Sequence, residues 1–212
     1  MQSFHLNLLV VFAVSIIPGL LWVSFFYKKD AHEPEPKRLV LTSFIYGGLM
    51  VFPAALIELP FRNIVRGGPQ NLLSLFLVSL FVVGVAEEGL KYLAVRLSAY
   101  DSPEFDEVMD GIIYSVSAAL GFAALENLFY AVSFGLVVGA FRAFVTSLAH
   151  ASFSGIQGYY LGRSKFAGAD AGNLIVKGLS MAILLHGVYD FLIIGQLMPP
   201  VLGIAMVVLL YW

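Results

Sequence analysis

Apolar runs of roughly 20 residues follow one another along nearly the whole chain, near positions 5–27, 39–59, 72–96, 108–132, 141–162, 173–195 and 198–212, the length a helix needs to cross a hydrocarbon layer. A water-soluble globule cannot hide that much apolar chain. Only 12% of the 212 residues are charged and 59% are hydrophobic, about half the charge of an ordinary soluble domain. The expected fold is all-α: a polytopic transmembrane bundle of about seven spans, forming one domain over 1–212, with a polar site inside it. The last run is short and ends in the aromatic pair Tyr211-Trp212, suited to a membrane interface, so it fits a half-span as well as a full one.

Breakers separate the runs. Pro34 and Pro36 lie in the stretch Lys28–Arg38, Arg66-Gly67-Gly68-Pro69 divides the second run from the third, and Pro103 lies in Tyr100–Glu107. The first run lacks a basic leader and is followed by Lys28 and Lys29, which reads as a retained span and not a cleaved signal peptide. Basic residues crowd the odd-numbered loops: Lys28, Lys29, Lys37, Arg38, Arg96, Arg163 and Lys165. The positive-inside rule then puts these loops in the cytoplasm and the N-terminus outside. A net charge of −2 argues against nucleic acid as a partner. The absence of cysteine removes thiol nucleophiles, disulfides and thiolate metal sites.

Ionisable residues inside the runs carry the functional signal. A charged side chain at the bilayer centre costs about 3 kcal/mol on insertion scales, so each must face a partner or a wet cavity. Here there are many: Glu87, Glu88 and Lys91 in the third run, Asp110 and Glu126 in the fourth, His150 in the fifth, His186 and Asp190 in the sixth. One polar cluster inside the bundle explains them together; interhelical ion pairs are the plainer alternative. Lys91 is four positions from Glu87 and three from Glu88, so it reaches both carboxylates on a helix. Two adjacent acids resist double ionisation, and the lysine restores one as a base while its neighbour positions it. His186 and Asp190 share a helix face, where the carboxylate fixes the imidazole tautomer. Glu126-Asn127 with Tyr130 sets a hydroxyl one turn from a carboxylate. His150 lies among the small residues Thr146, Ser147, Ala149, Ala151, Ser152, Ser154 and Gly155, which permit close helix approach or a water-accessible notch. At about 1.5 Å per residue, the depths of Glu87, His150, His186 and Glu126 allow convergence between the midplane and the outer leaflet without requiring it.

Acids and histidines in a membrane suit hydrolysis, metal transport or proton relay. The chain has no His-Glu-x-x-His zinc helix. Ala151-Ser152-Phe153-Ser154-Gly155 lacks the Gly-x-Ser-Gly turn of rhomboid-type serine proteases, and Tyr189-Asp190 lacks the Gly-x-Gly-Asp partner of presenilin-type aspartyl proteases. What remains resembles the PrsW family, within the larger clan that includes CAAX prenyl endopeptidases. The likeness rests on Glu87-Glu88-Gly89-Leu90-Lys91, on Gly121 through Asn127 with Tyr130, on His150 and on His186-x-x-x-Asp190; Tyr27-Lys28-Lys29-Asp30 through Glu35-Pro36 resembles that family's first loop.

The resemblance implies an intramembrane endopeptidase of a bacterial cell membrane. It would make the first, outward-side cut in a single-span membrane protein such as an anti-sigma factor, in an envelope-stress response, with membrane lipid around it. Glu87 would activate water, with Glu88 and Lys91 positioning it. His150, His186 and Asp190 would polarise or stabilise the oxyanion, and Glu126, Asn127 and Tyr130 would support them. The chain departs from the CAAX pattern in having lysine after the Glu pair and Glu126 in place of a histidine. A metal-free glutamate mechanism is the expectation. Zinc held by Glu126, His150, His186 and Asp190 would serve the same hydrolysis. A proton- or divalent-cation-coupled transporter built on the same groups is the rival from another class, and a non-cutting membrane scaffold is a third.

Overall fold

The computed structural model describes residues 8–30, 33–66 and 71–199. Six helices long and apolar enough to span a membrane make up the described residues: α1 (Leu8–Tyr27), α2 (Lys37–Val65), α3 (Leu72–Ser98), α4 (Val108–Phe134), α5 (Leu136–Ser164) and α6 (Gly168–Ile194). They follow the six expected runs closely. The seventh, at 198–212, falls outside the described residues apart from Met198 and Pro199.

α4 is the axis of the bundle. It packs against α1, α2 and α5, while α6 closes the other side against α5 and α3. Small residues set the spacing, as expected where apolar lipid gives helices no hydrophobic reason to associate and close packing must do so. A Cβ on Gly47 would overlap the Ala118 carbonyl, and one on Gly121 would overlap that of Phe44, so α2 and α4 meet backbone to backbone. Gly111, Gly158 and Gly162 bring α4 and α5 equally close.

Three helices depart from regular geometry. Pro53 cannot donate to the Leu49 carbonyl, and α2 divides there into Lys37–Leu49 and Val51–Glu58 around Met50. α3 contains a π-helical stretch, Ser79–Gly84, one turn before the Glu pair. It lies where α6 presses closest: a Cβ on Gly187 would come 2.6 Å from the Leu80 Cα, and one on Gly84 would come 2.9 Å from the Ile183 carbonyl. Such bulges rotate all that follows and often mark functional sites. Third, α5 starts earlier than its apolar run predicts. Gly135, at φ 97°, reverses the chain in a conformation that glycine adopts without strain. A first piece, Leu136–Phe144, then lies back against α4 and α1 before Thr146–Ser164 resumes the span.

Candidate active site

The turn of α3 after the π stretch puts Glu87, Glu88 and Lys91 on its buried side. Lys91 Nζ donates to Glu87 Oε2 at 3.1 Å and to Glu88 Oε1 at 2.8 Å, the two reaches that their spacing predicts. Nζ also lies 2.7 Å from His150 Nδ1 and 4.5 Å from the Phe122 ring centroid. Glu88 is fully buried and accepts from three directions: from Lys91, from Ser154 Oγ at 2.8 Å, and from His186 Nδ1 at 2.7 Å. A carboxylate so fully engaged holds its neighbours in place and has no free oxygen edge for substrate.

The hydrogen bonds assign the imidazole protons. An ammonium only donates, so His150 Nδ1 accepts from Lys91 and its proton is on Nε2, which faces Glu126 Oε2 at 3.3 Å. A carboxylate only accepts, so His186 Nδ1 carries the proton it gives to Glu88. His186 Nε2 is then left with a bare lone pair 3.7 Å from Glu87 Oε2, and His150 Nδ1 lies equally far from that oxygen with its lone pair taken by Lys91. Asp190 Oδ2 lies 3.5 Å from the same His186 Nε2. Ring nitrogens and carboxylate oxygens thus converge on one point, where the Lys91 ammonium, bonded to both Glu87 and His150, supplies positive charge. One ligand atom from each of Glu87, His150 and His186 lies within 4.8 Å of the others. The two rings are perpendicular with centroids 5.1 Å apart, and Phe153 stacks on His186 at 5.6 Å.

The remaining predicted residues spread around this centre. Glu126 is 18% exposed and Asp190 22%, which makes these the wetter carboxylates of the group. Asn127 ties α4 to α5, its Nδ2 donating to Ser147 Oγ at 3.1 Å. The Tyr130 ring lies under the Arg142 guanidinium, 3.7 Å from centroid to Cζ. Asp110 corrects the expectation of a single polar cluster. It sits in the first turn of α4, where Oδ2 accepts from the backbone N–H groups of Asp106 and Glu107, both at 2.7 Å, and completes a capping box with Glu107.

Two residues escaped the sequence reading. Arg142, on the first piece of α5, pairs with Glu126 Oε2 at 2.8 Å and so braces the carboxylate behind His150. Its expected place at the very edge of a span hid it. Glu58 of α2 joins the electrostatic neighbourhood of Glu87, Glu126, His186 and Asp190, and its Oε1 is shut from solvent without a hydrogen-bond partner. The signal was present: Glu58 is an acid inside an apolar run, the same criterion that singled out the others.

A family profile described as PrsW family intramembrane metalloprotease matches residues 35–212. The chain is 37% identical over 185 residues to Protease PrsW of Bacillus subtilis, covering 86% of this chain and 82% of the relative. It is 36% identical over 186 residues to Protease PrsW of Geobacillus kaustophilus, covering 87% and 80%. To Protease PrsW of Clostridioides difficile it is 32% identical over 210 residues, covering 95% and 87%. No solved structure matches.

Proposed function

The chain belongs to the PrsW family of intramembrane proteases, and from that premise we propose that its peptidase centre is Glu87, His150 and His186 gathered around one divalent cation of the zinc class. The observation that carries this reading is the convergence of one nitrogen from each imidazole on Glu87 Oε2, at 3.7 Å each, with the three ligand atoms within 4.8 Å of one another; His150 Nδ1 accepts from Lys91 here and would exchange that bond for the ion. One carboxylate oxygen and two imidazole nitrogens are a zinc-type donor set that leaves a position open. Each ring is also braced from behind, His150 by Glu126 and His186 by Glu88, the carboxylate–histidine arrangement that orients metal ligands. These braces favour the metal-dependent alternative over the metal-free mechanism that the sequence suggested. Without a metal, the Lys91 ammonium bridges Glu87, Glu88 and His150.

When bound, the ion supplies Lewis acidity at the scissile carbonyl and the attacking water. The chain's own residues do the rest. Glu88, held by Lys91 and Ser154, fixes His186 with Nε2 toward the centre. Arg142 holds Glu126 against His150 Nε2 and thereby turns Nδ1 toward the centre, where it would leave Lys91 for a bound ion. Asp190, beside the triad and reached by water, takes the proton from the attacking water at a carboxylate oxygen and returns it to the leaving amine. The surrounding helices keep bulk water from the membrane segment being cut.

The substrate is a single-span membrane protein, of the anti-sigma factor kind that the family resemblance implies, cut first on its outward side. With the odd loops cytoplasmic and the N-terminus outside, the triad lies toward the outer half of the membrane. Co-expression with tagged single-span proteins, anti-sigma factors among them, tests this. A fragment present with wild type, absent with Glu87→Gln, lost on chelation and restored by zinc is the expected result. A Glu87-dependent fragment indifferent to chelation returns the mechanism to metal-free chemistry.

A further inference from the structure

A groove of about 430 Å³ runs down the outside of the bundle, and the peptidase chemistry does not use it. Its walls are Phe26 of α1, Ile112 and Val116 of α4, Ile156 of α5 and Met181 of α6. It opens at the surface, where Tyr159 is 41% exposed and Met181 37%. One end lies at Tyr159 and Tyr160, near the C-terminus of α5, and the other at Ala151 and Ser152. At about 1.5 Å per residue, Ala151 and Tyr160 are about 13 Å apart along the helix, close to the ~15 Å depth of one hydrocarbon leaflet. The deep end offers no free donor, because Ser152 Oγ donates to the Leu148 carbonyl of its own helix at 2.7 Å. Length and lining both suit one acyl chain.

The mouth is charged. The Tyr159 and Tyr160 rings meet edge to face with centroids 5.3 Å apart, and a cation rests beside each. Arg163 Cζ lies 5.7 Å from the Tyr159 centroid, and Lys177 Nζ lies 5.2 Å from that of Tyr160. Both cations are exposed, and neither pairs with a carboxylate among the described residues. Arg163 stands in the last turn of α5, where basic side chains are ordinary. Lys177 is different: it lies about two turns inside α6, level with Tyr160, whose Cβ a Cβ on Gly178 would approach to 2.6 Å. A charge within an apolar span requires a partner or water, and the ring face alone is a weak partner.

We propose that this groove binds one anionic phospholipid, with an acyl chain along Phe26, Val116 and Met181 and the phosphate between Arg163 and Lys177. The phosphate gives Lys177 the counter-charge that the chain itself does not. A zwitterionic headgroup brings its own ammonium toward the two cations, so the site selects lipids of net negative charge. The inference stands apart from the peptidase reading and from any metal at that centre.

Native mass spectrometry of the full chain, released from micelles holding equal phosphatidylglycerol and phosphatidylcholine, tests this. Wild type is expected to retain one phosphatidylglycerol in preference to phosphatidylcholine. Arg163→Gln and Lys177→Gln are each expected to weaken retention about five-fold, and Lys177→Arg to preserve it. Lys28→Gln removes an exposed charge from the same end of the bundle and is expected to bind as wild type does. Gly155 lines the groove, and a Cβ there meets only Val116 Cγ2, at an ordinary 3.5 Å. Gly155→Leu is therefore accommodated by the helix, fills the path of the acyl chain and is expected to lose the phosphatidylglycerol with both cations in place. Equal retention of phosphatidylcholine, or a loss in Lys28→Gln as large as in Lys177→Gln, overturns the proposal in favour of nonspecific contact. Displacement of the lipid by glycerol phosphate makes this a soluble-anion site, and a dimer mass that Gly155→Leu abolishes makes it a contact between copies; either result overturns it too.

Discussion

Each histidine of the proposed centre is held from behind by a carboxylate, His150 by Glu126 and His186 by Glu88, and this is where single substitutions discriminate best. Glu87→Gln removes a ligand and is expected to lower cleavage by at least ~10²-fold with insertion unchanged, read from the fragment of a tagged substrate. Ser154→Ala takes one of three donors from Glu88. It is expected to weaken metal affinity about 10–100-fold, as loss of an outer-shell partner does elsewhere, with cleavage recovering at excess zinc. Arg142→Gln frees Glu126 and should behave likewise, and Arg142→Lys should restore only part of the affinity, because the lysine cannot also lie over Tyr130 as the planar guanidinium does. Failure of zinc to rescue these variants would assign both residues to substrate handling instead.

The sequence made most of this site legible at the residue scale. Glu87, Glu88, Lys91, His150, His186 and Asp190 stand out because charge inside an apolar run has few explanations. The same rule over-read Asp110, whose buried carboxylate is explained by a helix cap at the edge of a span. It also passed over Glu58, which satisfies the rule, and Arg142, which an apolar run taken to start at 141 left at the boundary.

At the level of elements, the helices were foreseeable and their irregularities were not. Spans follow from apolar length alone. The π stretch of α3 lies where α6 packs closest, a tertiary contact with no local signature, and the backward course of Leu136–Phe144 follows Gly135, a single glycine within an apolar stretch. The α3–α6 contact predicts that Gly187→Ala, whose Cβ would meet Leu80 Cα at 2.6 Å, separates the two helices and pulls His186 from Glu88. Cleavage is expected to fall about 10–100-fold, with thermal stability lowered by about 1–3 kcal/mol. An active Gly187→Ala protein would show that the close contact does not set the site. Gly47→Val, far from the triad on the α2–α4 contact, is expected to lower stability by a similar amount while any protein that does fold cleaves normally.

Over the whole molecule, the two buried polar groups separate by depth. One end of the bundle carries the buried acids Asp30, Glu35 and Asp110 beside loops rich in lysine and arginine, the other the convergent histidines, with α4 running between Asp110 and Glu126. The buried charges at the histidine end accord with membership of a protease family, while Asp30, Glu35 and Asp110 lie apart from them. The central claim is that Glu87, His150 and His186 hold a metal. Elemental analysis of the purified full chain in detergent, wild type beside His150→Ala/His186→Ala, tests it most directly. About one zinc-class ion per wild-type chain and none in the double variant is the predicted result. A wild-type protein that cleaves its substrate with no bound metal would contradict the account.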